Sequence, residues 1–269
     1  RYRIEPDEIL DICKILEKSG ITTVVLQSGE DTYYTAERIG LLISEIKKKT
    51  GLAVTLSVGE RDKDTYEFWR TQGMDRFLLR FESANRSLYK ECHPDGDFDK
   101  RITSLRTLQR IGVQTGSGFL IGIPGETLKD IADDILFCTR LDLDMIGVGP
   151  FIPHEQTPFR FRHNPFTPDI FFKTMAILRL LNKNVHIPST TAFDAVHPDG
   201  RNLVLQRGAN VFMPNVTPQE FRSHYQLYPG KPAVDETHPE SIDRIHTRIS
   251  ALGRTLGTGP GHSLRDKER

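Results

Sequence analysis

Cysteine is scarce in this chain of 269 residues: Cys13, Cys92 and Cys138 are the whole complement. Spacings this wide leave no CxxC pair for a metal, and an odd count gives no disulfide framework. Cys13 (in DICKIL) and Cys138 (in ILFCTR) fall within helical apolar patterns and read as buried structural thiols. Cys92, ahead of His93 and Pro94 in a loop, reads as structural too. Such sparing use suits a reducing cytoplasm. Net charge is also missing, since 36 basic residues balance 36 acidic ones. That balance removes the electrostatic case for a nucleic-acid or anionic-membrane partner. No apolar run approaches the ~20 residues that span a bilayer, and no apolar signal segment follows Arg1-Tyr2-Arg3. GxSxG, HExxH, P-loop and EF-hand patterns are absent, as are fixed-period repeats.

What is present describes a folded domain. A hydrophobic share of 37% against 27% charged separates the chain from disordered sequences, and its length permits one large domain or two modest ones. Short apolar strands alternate with amphipathic helices. Strands are expected at 21–28, 52–58, 76–83, 116–122, 145–152, 186–191 and 210–215. Helices are expected at 6–19, 36–49, 62–72, 84–91, 99–111, 127–140, 168–183 and 200–207. The segments 52–58, 145–152 and 210–214 are apolar or β-branched almost throughout, as strands buried on both faces must be. Alternating β and α units imply a parallel sheet with right-handed crossovers. Seven strands preceded by an orphan helix read as a TIM-like (βα)8 barrel of the α/β class with its first strand absent. An open doubly wound sheet is the alternative. The barrel is expected over 1–228, and 229–269 as a C-terminal loop, a helix at 240–253 and a loosely ordered tail.

Chemistry in a parallel barrel collects at the carboxyl ends of its strands. Those ends carry Gln27-Ser28-Gly29-Glu30-Asp31, then Thr55, Ser57 and Glu60, then Arg80 and Glu82, then Thr190 and Thr191, and finally Met213. Arg80 and Glu82 are two apart, so both point to one face of a strand otherwise made of Phe77, Leu78, Leu79 and Phe81. Buried charge is costly unless paired or engaged by a ligand. The pair reads either as a structural ion pair, with Arg101 as a third member, or as a binding group. Glu60, after a glycine turn, reads as a solvated carboxylate. The stretch GSGFLIGIPGET (116–127) lies mostly within a strand and has the wrong spacing for a dinucleotide loop. Its glycines suit close approach of backbone to a flat ligand. Phe151, Ile152 and Pro153 form an apolar strand end able to accept an adenine, while His154 has no partner at ligand spacing.

Several strings then converge: LQSGEDTYY (26–34), AVTLSVGE (53–60), LRFESANRSLY (79–89), GVGPFIPHEQTP (147–158), IPSTTA (187–192), GANVFMPN (208–215) and YQLYPGK (225–231). From residue 1 to about 255 the chain resembles the HydE family, radical S-adenosylmethionine (SAM) maturases of [FeFe]-hydrogenase. Methylornithine synthase and the [Fe]-hydrogenase maturase are related families. The resemblance implies a radical SAM barrel, a [4Fe–4S] cluster, and a 5′-deoxyadenosyl radical that attacks an organometallic iron–cysteine precursor. It implies that SAM meets Gln27, Ser28 and Gly29, that Glu82 and Arg101 hold its ribose and methionyl carboxylate, and that Pro150, Phe151 and Ile152 pass its adenine. A cavity for a small anionic substrate would be lined by Thr55, Arg80, Thr190, Thr191, Met213, Tyr225 and Tyr228. Other hydrogenase maturases and an electron donor are the implied partners, with no nucleic acid and no membrane.

One departure is large. The family's cluster is held by three thiolates of a CxxxCxxC loop after the first strand, and this chain has no such triad. A missing upstream segment accounts for both the absent strand and the absent thiolates. Two other readings stay open: a related mutase or maturase acting on an amino acid, and a cluster-less barrel that binds a small anion or a partner protein.

Overall fold

The computed structural model describes residues 2–162, 166–222, 224 and 238–265. In chain order its larger elements are α1 (Pro6–Lys18), β1 (Thr23–Gln27), α2 (Ala36–Lys49), β2 (Ala53–Ser57), α3 (Lys63–Gln72), β3 (Arg76–Leu78), α4 (Arg86–Cys92), α5 (Phe98–Arg110) and β4 (Gln114–Ile121). They continue with α6 (Leu128–Leu141), β5 (Met145–Pro150), α7 (Pro168–Leu181), β6 (Pro188–Ser189), α8 (Ala192–Val196), α9 (Gly200–Gln206), β7 (Val211–Phe212), α10 (Gln219–Arg222) and α11 (His238–Ala251). Helix starts follow local chemistry. Asp62 caps α3 by accepting from Thr65 N at 2.8 Å, and Thr127 and Asp130 close a capping box on α6. Among the described residues no helix is long and apolar enough to cross a membrane.

Strands β1 to β5 form one parallel sheet in sequence order, and β6 pairs with β7 in a second parallel pair. The two are joined, because Ile146 N donates to His186 O at 2.8 Å and Met145 bridges His186 in parallel. Strand order therefore never reverses. This is the topology of a partial (βα) barrel and excludes the doubly wound alternative. Helices cover the outside, where Trp69, Tyr66 and Phe77 pack face and edge within 6.3 Å of one another.

Four expectations need correction. The strand expected over 76–83 is regular only to Leu78; beyond it the backbone kinks at Glu82, with φ 64°. The strand expected over 186–191 shrinks to Pro188–Ser189, because Pro188 has no N–H and the Asn210 side chain takes the Ile187 N–H at 2.8 Å. Thr190 and Thr191 turn directly into α8, a helix that periodicity did not suggest. The tail expected to be loose is docked instead. Thr22 and Thr23 hydroxyls donate to Gly259 O and Pro260 O at 2.7 and 2.8 Å, and Ser263 N donates to Gln114 Oε1 at 2.8 Å. The tail thus lies across the amino ends of β1, β3 and β4, the floor of the barrel.

Candidate active site at the barrel mouth

The carboxyl end of β3 sets the site. Phe81 N and Glu82 N both donate to Gly118 O at 3.0 Å, while Leu120 N donates to Glu82 O at 3.0 Å. Two donors on one carbonyl force the turn, and Glu82 takes a left-handed conformation that non-glycine residues adopt at a cost of about 1–3 kcal/mol. The kink aims its side chain back at Arg80, with Oε1 3.3 Å from Arg80 Nε. The other oxygen, Glu82 Oε2, is buried and has no hydrogen-bond partner among the described residues. Such an atom costs about 1–3 kcal/mol unless a ligand meets it.

Arg80 lies over a strip with no side chains. A Cβ on Gly147 would sit 3.9 Å from Arg80 Cδ, and one on Gly149 would sit 3.4 Å from Thr190 Oγ1. Gly147 and Gly149 on β5 therefore place no side chain of their own between that strand and Arg80 or Thr190. Arg101, on α5, donates to Arg80 O at 3.2 Å and places Nε 2.5 Å from Glu60 Oε1. Glu60 is accordingly a partner of a buried guanidinium, not the solvated carboxylate expected. Burial still raises its carboxyl above the ordinary value, with Arg101 opposing.

Three residues to which the sequence assigned no role belong here: His93, Tyr89 and Glu126. His93 follows α4 with its ring centroid 5.1 Å from that of Tyr89. Burial lowers its pKa, with the charge of Glu82 opposing and that of Arg101 adding to the effect. Tyr89 and His93 are four apart, the spacing of neighbours on one helix face, which was the available signal. Glu126 accepts from Gly122 N at 2.5 Å, its Oε1 is buried without a partner among the described residues, and burial pushes its carboxyl up to about 7. Beside it Leu88, Ile123 and Phe151 form a small apolar cluster with Cys92, Leu120 and Phe159 packed against it.

The structure joins some candidates and separates others. Arg80, Glu82 and Arg101 form one charged group with Glu60. Thr190 borders Gly149, next to Pro150 and Phe151. Ser28 is tied to β2 through Ser57 O at 3.1 Å, with Gln27 and Gly29 exposed beside it. Thr55 lies deeper, in register with Val25 and Arg76. Thr191 opens α8, Ile152 is half-buried, and Met213 is 37% exposed at the end of β7. Tyr225 and Tyr228 lie outside the described residues. Cys13 and Cys138 are buried and Cys92 is half-buried on three different helices, so the chain's thiols form no cluster. Burial pushes Cys13 to about 11 and Cys92 to about 12, far from the thiolate that metals need.

Comparison with known proteins gives the site its context. Residues 1–138 match the radical SAM superfamily. The chain is 45% identical over 258 residues to the [FeFe] hydrogenase maturase subunit HydE of Thermotoga maritima, covering 96% of this chain and 73% of that protein. It is 31% identical to the 3-methylornithine synthase of Methanosarcina acetivorans, over 78% of this chain and 60% of that one. Among solved structures, methylornithine synthase (PylB) superposes with a TM-score of 0.82 at 26% identity, over 96% of this chain and 75% of that one. HydG from Carboxydothermus hydrogenoformans shares the fold, with a TM-score of 0.74 at 18% identity over 94% of this chain and 60% of that one. Seven parallel strands in unbroken order among the described residues, a charged mouth and this degree of identity agree: the chain belongs to the radical SAM superfamily and, within it, to the HydE family.

Proposed function

We propose that this chain binds SAM across the mouth of the barrel and presents a small anionic organometallic substrate to it, as a HydE-type maturase. The observation that carries the reading is Glu82 Oε2, a buried carboxylate oxygen with no partner among the described residues, held at the mouth in a strained conformation beside Arg80. The residues present fit SAM. Glu82 offers an acceptor for ribose hydroxyls, and Arg101 offers a cation for the methionyl carboxylate. Pro150, Phe151 and Ile152 offer an apolar wall for the adenine, and Ser28 with Gln27 and Gly29 closes the β1 side. Bound SAM supplies the family's chemistry, a primary carbon radical released on reductive cleavage of its sulfonium.

The residues present do not fit a [4Fe–4S] cluster, because Cys13, Cys92 and Cys138 are scattered over three helices. Below the mouth, Arg80 and Thr55 supply a guanidinium and a hydroxyl to an anionic iron–carbonyl–cyanide complex, with Thr190, Thr191 and Met213 along the far wall. Gly147 and Gly149 leave the β5 side beside Arg80 and Thr190 free of side chains of their own, where the substrate would approach. Three free thiols fit a reducing cytoplasm, where other hydrogenase maturases and an electron donor would meet it.

The test uses the complete gene product, reconstituted with iron and sulfide, reduced and supplied with SAM. The expected result is 5′-deoxyadenosine, with Glu82→Ala and Arg101→Ala each weakening SAM binding at least tenfold. A loaded, reduced protein that releases no 5′-deoxyadenosine overturns the reading.

A further inference from the structure

The strained turn at Glu82 is gripped from two sides. Strand β4 holds Phe81 and Glu82 through Gly118 O and Leu120 N. Helix α6 holds the residues that follow, through two carboxyls four apart on one face. Asp134 Oδ1 accepts from Ala84 N at 2.5 Å, and Asp130 Oδ1 accepts from Asn85 Nδ2 at 2.8 Å. Within the turn Ser83 N donates to Phe81 O at 2.8 Å, and Asn85 N to Ser83 Oγ at 3.2 Å. Left-handed non-glycine conformations persist only where their surroundings over-determine them.

Asp134 is the unusual member of this grip. It is wholly buried, and its second oxygen has no hydrogen-bond partner among the described residues. Its polar neighbours are the Ala84 N–H and the Ser83 hydroxyl, with the carboxyls of Glu126 and Asp130 nearby. A helix-borne carboxyl buried in such company is costly for the fold. Its placement makes sense if the turn, rather than the core, needs it.

We propose that Asp134 is a positioning residue for Glu82: by fixing Ala84 N it locks the left-handed turn that aims the Glu82 carboxylate at SAM. The inference rests on the SAM reading above. Burial pushes the Asp134 carboxyl up to about 8, with Glu126 and Asp130 adding to the effect. Near neutral pH it is therefore largely a neutral acid, which asparagine copies in shape, charge and acceptor oxygen.

The experiment is calorimetric titration of SAM into the reconstituted complete protein, with melting followed in parallel. Asp134→Asn is expected to bind SAM within threefold of wild type. Asp134→Ala is expected to bind at least tenfold more weakly, since the turn relaxes and Glu82 moves. In a Glu82→Ala background the same change should cost no further affinity, because its route to the ligand is gone. A purely structural Asp134 would lower the melting temperature in both backgrounds and leave SAM affinity alone. Should Asp134→Ala not fold, Asp134→Leu fills the space without accepting the N–H and carries the same expectations. Wild-type protein that binds no SAM removes the cofactor reading and this inference with it. Wild-type binding that Asp134→Ala leaves unchanged, or an additive loss on top of Glu82→Ala, overturns the inference alone.

Discussion

At the scale of single residues, the SAM contact proposed for Glu82 comes at a cost to the fold. Glu82 occupies a backbone conformation suited to glycine, and one of its oxygens is buried without a partner among the described residues. Glu82→Gly should therefore leave the melting temperature unchanged or raise it by up to about 3 °C, while SAM affinity falls at least tenfold. Calorimetry and thermal melts on the same sample test this; a melting temperature lowered by several degrees would show that Glu82 serves the fold. Glu126 gives a pH test. Its folded pKa of about 7 stands above the ordinary 4.5, so the protonated form is the one the fold prefers. Its stabilising contribution is fully present below about 4.5 and is lost as pH rises through about 7. Glu126→Gln lacks that loss. The gap in melting temperature, variant minus wild type, should widen from pH 5 to pH 7 and then level off; a constant gap contradicts the assignment. Arg80 and Glu82 were legible in the sequence as charges in an apolar strand. Glu60 and Asp134 were not, because their partners Arg101 and Ala84 lie far along the chain, and Glu126 was not, because nothing in its local string shows that the fold buries it.

At the scale of elements, hydrophobic periodicity located every strand from β1 to β7, and each helix from α1 to α7 lies close to its expected range. It failed where side chains or kinks replace ladder bonds. Glu82 bends β3, and Asn210 stands in for a strand neighbour beside β6. Neither event leaves a periodic trace. The glycines of β4 were legible as a close approach, although the sequence suggested a ligand as the approaching body. The structure adds a second cause. A Cβ on Gly118 would collide with the Gly147 backbone, carbonyl oxygen included. A Cβ on Gly116 would instead meet the movable side chains of Leu78 and Met145, at 2.9 Å each. Backbone cannot yield as a methionine tip can. Gly118→Ala should thus cost at least about 3 kcal/mol or prevent folding, and Gly116→Ala about 1 kcal/mol. Urea titration of both variants checks the order, and equal losses would show that β4 and β5 separate easily.

At the scale of the whole molecule, the C-terminal segment completes the barrel from below. Arg76 is only 4% exposed, and no carboxylate among the described residues pairs with it; its guanidinium reaches Thr23 Oγ1, Gln114 Oε1, Pro260 O and His262 Nδ1 at 2.5–3.3 Å. Two of those four acceptors belong to the tail. Gln114 Nε2 also meets His262 Nδ1 at 2.9 Å, and His186 Nε2 lies 3.1 Å from His262 O. Farther along, Arg265 donates to Leu143 O at 2.7 Å and pairs with Asp142. The segment's glycines and charges suggested looseness, because composition cannot show that the floor of a barrel offers unmet donors. A chain ended after Arg254 should lose roughly 3–6 kcal/mol, from hydrogen bonds to a charged group and the exposure of the floor. For a domain of this size that corresponds to a melting temperature lower by about 6–20 °C. Arg76→Met removes the buried cation that the tail serves, so the same truncation should cost clearly less in that background. Four melts, on wild type, each single change and the double change, measure the coupling. Equal truncation costs in the wild-type and Arg76→Met backgrounds would place the tail's contribution elsewhere on the floor, at His186 or Leu143.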